Sequence, residues 1–484
     1  MYNRYVKLVR VLTMATVIDE KRKFLILEDK NILKGIFIMM IPLFLSNMLK
    51  SLHDIVDSYF LARMDLGKDA IESALAAVNI HWPIYNIFNA LGVGLGIAGV
   101  GIISQYIGSK KEKEATKYAA KLVTYAVLLG ALVNALLFIF APTIANLMGA
   151  KDLTFDYAVT YFRYRSFEFI FVYLFLAYQA IRQAEGDTMS PVILSVISIV
   201  INMIMTWLFI SVFNMGIHGA GLSTLLSQLL IMPFALFSLL RSKKHVRLDY
   251  KELGFDKEIM SEITRFAMPS AASQAFSSLG FAVIQAMILS YGDTVSSGFG
   301  TGNRISSLIL NPVMAIGSVL AAYVGQNIGN QNPERAKASY RVARNLSVSI
   351  MLFGIGLAIP FSKQIAELIV GAENQAIVKV TVEYSFWILG TQPLMAIFQN
   401  YVSVFNGSGN TKYSFIMSFT RLWLLRVPLV FMFMHLTNVG YPGIWYSMML
   451  SNIMILGLGH YLFKKVTFER RVIIHDEKEV ARSV

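Results

Sequence analysis

A chain of 484 residues that is 55% hydrophobic and only 15% charged, with a mean hydropathy of +0.56, falls outside the range of soluble domains and reads as an integral membrane protein. Its net charge of +13 would suit nucleic acid, but the basic residues alternate between loops instead of clustering in one domain, which argues against such a partner. With no cysteine, neither a disulfide framework nor a thiolate metal site is available.

Residues 1–32 carry a basic start in which Lys7 and Arg10 interrupt the apolar part, and no small-residue cleavage site follows. They read as a cytoplasmic extension, with Met14 as an alternative start. Twelve apolar segments follow, each long enough to span a bilayer: 33–61, 71–106, 117–147, 157–181, 190–213, 217–240, 262–291, 294–326, 342–370, 377–405, 412–436 and 440–463. This predicts an all-α integral membrane protein. Most of the 43 Lys and Arg fall in the termini and in every second loop. The positive-inside rule then places both termini in the cytoplasm, as an even number of spans requires, and the expected location is the plasma membrane.

In the first span, "LKSLHDIVD" at 49–57 sets Lys50, His53, Asp54 and Asp57 within two helical turns. A charge at the centre of a membrane helix costs about 2.5–3.5 kcal/mol on insertion scales, so such groups rarely face lipid. Lys50 and Asp54 are four apart and can neutralise one another. Asp57 needs a partner from another element, and a second carboxylate nearby should raise its pKa, which suits a group that takes and releases a proton. His53 either tunes Asp57, titrates itself, or is hydrated in a cavity. Further on, Gly94 to Gly99 fits a dinucleotide-binding pattern, but no strand precedes it, so close helix packing is the better account. Arg165 and Glu168, three apart in the fourth span, read as a structural ion pair ahead of a second proton carrier. Arg304 reads either as an anion contact or as a structurally paired or hydrated group, and Arg421 and Arg426 as side chains that snorkel from the cytoplasmic end of the eleventh span. Asn406-Gly407-Ser408 fits a glycosylation acceptor on the wrong side of the membrane.

The chain repeats itself. "SQYIGSKKEKEA" at 104–115 matches "GQNIGNQNPERA" at 325–336, "GDT" at 186–188 matches "GNT" at 409–411, and "GIHGAGLSTLLS" at 216–227 matches "GYPGIWYSMMLS" at 440–451. The near-constant separation predicts two parallel-repeat six-helix lobes, 33–240 and 262–464, joined by a charged cytoplasmic linker at 241–261 and followed by a cytoplasmic tail at 465–484. Parallel repeats of this kind build secondary transporters with a substrate site between the halves. No serine-hydrolase, zinc-protease or nucleotide-loop motif is present, so neither an enzyme nor an ATP-driven pump is expected.

The order "IPLFLSNMLKSLHDIVDSYFLAR", the segment "GQNIGNQNPERA" and the paired glycine-rich turns resemble the multidrug and toxic compound extrusion family over roughly 33–465. The resemblance implies a secondary active antiporter that expels organic, often cationic and aromatic, compounds in exchange for Na⁺ or H⁺, with no other cofactor. Asp57, fifteen residues after Pro42, matches the family's first-helix coupling aspartate, and Asn202 and Thr224 match its companions. Thr206 stands where some members carry an acid, so a Na⁺ site made of Asp57, Asn202 and Thr224 has one charge fewer. Ser277 and Met395 replace acids used by other branches, which puts the coupling machinery in the N-terminal half. Tyr59, Trp82, Tyr85, Trp207, Phe276 and Trp387 are candidate walls of a substrate cavity, since aromatic faces attract organic cations. The expected partners are small organic substrates and membrane lipids, with a monomer as the expected state. The alternatives are a flippase for an anionic lipid-linked saccharide, suggested by Lys50 and Arg304, and a non-transporting membrane receptor.

Overall fold

The computed structural model describes residues 26–61, 68–242 and 245–469, with the side chains of 50–61 and of 68–69 outside the description. The described chain is a helical bundle. The N-terminal lobe contains α1 (Ile32–Leu61), α2 (Lys68–Gly108), α3 (Glu112–Leu147), α4 (Asp152–Ala184), α5 (Met189–Trp207) and α6 (Gly216–Leu240). The C-terminal lobe contains α7 (Lys257–Leu289), α8 (Asp293–Gly329), α9 (Pro333–Ala358), the short α10 (Ser362–Val370), α11 (Gln375–Leu389), α12 (Gln392–Gly407), α13 (Thr411–Phe419), α14 (Val427–Leu436) and α15 (Pro442–Lys464).

Joined across their local breaks, these helices form twelve spans, six in each lobe, because a backbone in lipid must satisfy its hydrogen bonds within the segment. Four spans differ from the continuous helices expected. The fifth changes to a π-helical turn over Leu208–Val212, and the eleventh carries a longer π segment, Thr420–Arg426, between α13 and α14. The tenth breaks between α11 and α12 at Gly390–Thr391, where Pro393 opens the next helix without needing an N–H. The ninth ends at Ala358 instead of running through to 370.

Lipid supplies no hydrophobic drive between helices, so close packing must hold them together. The glycine run of α2 serves that purpose. A Cβ on Gly92 would overlap Tyr173 of α4, one on Gly94 would lie 2.7 Å from the Ala267 carbonyl of α7, and one on Gly101 would lie 2.8 Å from the Asn406 carbonyl of α12. Thus α2 touches both lobes. The repeated motifs meet as well: Gly108 at the end of α2 presses on the Gln326 carbonyl, and Gly329 at the end of α8 presses on the Gln105 carbonyl. At the same end, the Tyr118 hydroxyl of α3 donates to Glu262 of α7, and Tyr125 lies 2.7 Å from Thr264. Large side chains such as Phe353, Leu132 and Phe234 stay exposed on the outer surface, as a lipid-facing wall requires.

Candidate functional site

The N-terminal lobe holds a buried polar cluster between α5 and α6. Asn202, Thr206 and Thr224 are all less than 5% exposed. Asn202 Nδ2 donates to Thr224 Oγ1 at 3.3 Å, while Thr206 Oγ1 lies 3.0 Å from Ser223 Oγ and 3.5 Å from Asn202 Oδ1. One turn closer to the start of α5, Ser198 Oγ is 3.5 Å from the Ser227 carbonyl. Hydroxyls and amides can satisfy one another in this way at low cost, whereas a lone ion cannot. The three residues expected to accompany Asp57 are therefore brought together.

Asp57, Asp54, His53, Lys50 and Tyr59 fall in the helical part of α1, but their side chains lie outside the described residues. The backbone still has a register. Ser46 Oγ of α1 is 3.5 Å from Ser195 Oγ of α5. Both helices belong to odd-numbered spans and run the same way, so eleven residues further on position 57 of α1 is level with position 206 of α5.

As a test of fit for Na⁺, the cluster offers Asn202 Oδ1, Thr206 Oγ1 and Thr224 Oγ1, which are hard oxygen donors of the right class. All three are neutral and already engaged with one another. Any cation held here would draw its counter-charge from α1. Among the described residues no group of three or more His, Asp or Glu is placed to hold a metal.

Arg165 and Glu168 form the expected ion pair at 2.9 Å, with Glu168 only 3% exposed. The guanidinium also lies over Tyr85 at 5.4 Å and Tyr161 at 5.7 Å. Sequence reasoning missed their neighbour His81, 4% exposed and 5.0 Å from the Tyr161 ring. The available signal was a titratable side chain inside an apolar run. Trp82 stacks on Tyr85 at 6.1 Å, so these two candidates lie on one face of α2. Phe276 belongs elsewhere, in a cluster with Phe415, Phe419 and Trp423 between α7 and the eleventh span. Trp207 is 49% exposed at the end of α5, Trp387 packs edge-on to Tyr446, and Arg304 is exposed on α8.

Arg421 and Arg426 overturn the snorkelling expectation. They are 6% and 4% exposed, and both sit well inside the eleventh span, in its π segment. A π turn shifts side chains off the usual helical register, and that rotation points these two into the lobe. Arg426 Nε donates to Ser451 Oγ at 2.9 Å and Nη2 to Asn452 Oδ1 at 2.6 Å, both on α15. Arg421 Nη1 is 3.7 Å from the sulfur of Met395 and its guanidinium lies 4.7 Å over the Phe398 ring. Asn406 of the glycosylation-like triplet accepts from Ser414 Oγ at 2.7 Å, and Ser408 is fully buried.

Two six-helix lobes related as parallel repeats, with separate buried polar clusters and, among the described residues, no large extramembrane domain, have the architecture of a two-lobe membrane transporter. The MatE family model matches residues 42–208 and 269–432, most of the chain, in two segments that follow the repeat. The protein belongs to the multidrug and toxic compound extrusion family. It is similar to the probable multidrug resistance protein YoeA of Bacillus subtilis, 24% identical over 91% of this chain and 96% of that protein. It is also similar to a FAD transporter of Shewanella oneidensis, 27% identical over 85% of this chain and 90% of that protein. The solved structure of a MATE protein in a bent conformation superposes with a TM-score of 0.84, covering 92% of this chain and 97% of that one at 22% identity.

Proposed function

We propose that the protein is a secondary antiporter of the plasma membrane, both termini cytoplasmic, that exports organic compounds, cationic aromatic ones among them, in exchange for H⁺ or Na⁺. The observation that supports this reading best is the level register of position 57 with the buried Asn202–Thr206–Thr224 cluster. A carboxylate at Asp57 has there a set of rotatable hydroxyls and an amide that can accept or donate as its charge changes. A proton on Asp57, or Na⁺ held with Asn202 and Thr224, would remove that charge and so change what α1 offers the hydroxyls and amide of α5 and α6. His53 and Asp54 are close enough in sequence to tune that event. A bound cation shifts the inward–outward equilibrium only by its differential affinity for the two states, so cation and drug must be linked. The aromatic wall of Trp82 and Tyr85 supplies faces on which an organic cation can sit.

The similarity to proteins named for multidrug resistance supports export over the saccharide-lipid flippase. The test is ethidium efflux from energised cells under separately imposed Na⁺ and pH gradients. Wild type should pump uphill on one of them and Asp57→Asn should not. Uphill efflux that persists in Asp57→Asn would remove Asp57 from the coupling step.

A further inference from the structure

The eleventh span begins at Thr411, so Arg421 lies ten residues in, about 15 Å at the helical rise, near the midplane of a hydrocarbon core about 30 Å thick. Arg426 lies five residues further along, past the midplane but still inside the core. Both are more than nine-tenths buried, and neither forms an ion pair with any described carboxylate. Arg426 is held by neutral oxygens of Ser451 and Asn452, and Asn452 is in turn 3.2 Å from Thr391 Oγ1. Among the described residues Arg421 has only a thioether and an aromatic face, and its Nε has no acceptor there. Nearby in the same lobe Gln392 donates to Ser306 while its Oε1 has no donor.

Two guanidinium charges at this depth cost several kcal/mol each unless an anion faces them. A polarised sulfur and a ring quadrupole attract a cation but do not neutralise it. The matching place in the N-terminal lobe shows the contrast. The repeat pairs Ser227 with Ser451: the Ser227 hydroxyl donates to the Thr224 carbonyl of its own helix, whereas the Ser451 hydroxyl accepts from a guanidinium. The two lobes thus share a frame and differ in charge.

We propose that Arg421 and Arg426 form an anion-binding subsite in the C-terminal lobe that takes the carboxylate or phosphate of the exported compound. This rests on the exporter reading and extends its substrates to zwitterions and organic anions. A guanidinium fork suits a carboxylate or phosphate because it offers parallel N–H donors to two oxygens; on Arg426 the Nε and Nη2 are engaged by Ser451 and Asn452, so the open fork is that of Arg421. The unfilled Nε of Arg421 is the donor left for that group. Arg426, already fixed by α15, acts as the rigid member of the pair.

The test is equilibrium binding of 5-carboxyfluorescein to the full chain in lipid nanodiscs, followed by fluorescence anisotropy, with inorganic phosphate as competitor. Wild type should bind the dye, and Arg421→Gln and Arg426→Gln should weaken it about ten-fold or more. Arg421→Lys, which keeps the charge and removes the fork, covers the case in which a glutamine variant does not fold, and should still weaken binding measurably. Lys337→Gln, a surface change, should leave it unaltered. No dye binding in wild type, or equal binding in the Arg421 variants, overturns the proposal. Stabilisation of wild type by phosphate with no response to the dye overturns the substrate assignment in favour of a bulk inorganic anion. Ethidium efflux by wild type is read separately, so that failure of the exporter reading shows there while the dye binding still decides the subsite.

Discussion

Gln105 and Gln326 make the same bond in opposite directions across the lobe interface. Gln105 Nε2 of α2 donates to the Gly407 carbonyl at the end of α12 at 3.3 Å, and Gln326 Nε2 of α8 donates to the Ala184 carbonyl at the end of α4 at 2.6 Å. Both glutamines are at most 3% exposed. Each therefore satisfies a helix-end carbonyl of the other lobe that has no partner within its own helix. With Gly108 and Gly329 pressed against the opposite glutamine carbonyls, the two repeats clasp one another at one end of the molecule.

That clasp should open if either glycine gains bulk. Gly108→Val or Gly329→Val places methyl groups where a carbonyl now sits, and the ends of α2 and α8 must separate. Because the native chain has no cysteine, a single Ser109→Cys reports the opening directly. Maleimide labelling should be several-fold faster in the valine variants, with transport reduced. Unchanged labelling would mean that the contact does not close that end.

The α5–α6 cluster predicts a change in ion preference. Thr206→Asp adds a carboxylate level with position 57, beside Asn202 and Ser223. Extra charge raises the affinity of an oxygen site for a hard cation. Ethidium efflux by this variant should reach half-maximal rate at lower Na⁺ than wild type, whereas Asn202→Leu should depress efflux at every Na⁺ concentration. Identical Na⁺ dependence in Thr206→Asp and wild type would separate the cluster from ion coupling.

Arg165 and Glu168 form a buried pair, and removing one charge strands the other. Glu168→Gln should cost about 3–5 kcal/mol, while Arg165→Met with Glu168→Leu should recover much of it. Thermal unfolding in detergent measures both. A proton carrier would behave differently: Glu168→Gln would keep its melting temperature and lose the pH dependence of transport.

Glycines in helices divide by what surrounds them. A Cβ on Gly94 would meet the Ala267 carbonyl and Ala271 at 2.7 Å, whereas one on Gly300 of α8 meets nothing within 4 Å. Gly94→Ala should destabilise by about 1–3 kcal/mol through overpacking. Gly300→Ala should be neutral or stabilise by up to about 1 kcal/mol, because alanine has the higher helix propensity. The two melting temperatures, measured side by side, check the contrast.

Hydropathy and repetition, both properties of the linear chain, were enough to determine that this is a membrane protein of twelve spans in two related lobes. Apolar length sets the spans because the bilayer has a set thickness, and an even count per half makes the repeats parallel. The meeting of Asn202, Thr206 and Thr224 was implied by the family resemblance, and the packing role of the α2 glycines by the four-residue spacing of Gly92 and Gly96. Only the tertiary structure decided where Arg421 and Arg426 point. Read along the chain they are two charges within reach of a helix end. A π segment turns them into the C-terminal lobe, and the residues that receive them, Ser451, Asn452, Met395 and Phe398, come from other helices. The burial of His81 was hidden for the same reason, whereas the break at Gly390–Thr391 is marked locally by Gly390 and Pro393. A local pattern specifies that a helix forms, but the direction of a side chain inside a bundle depends on which neighbours can accept it.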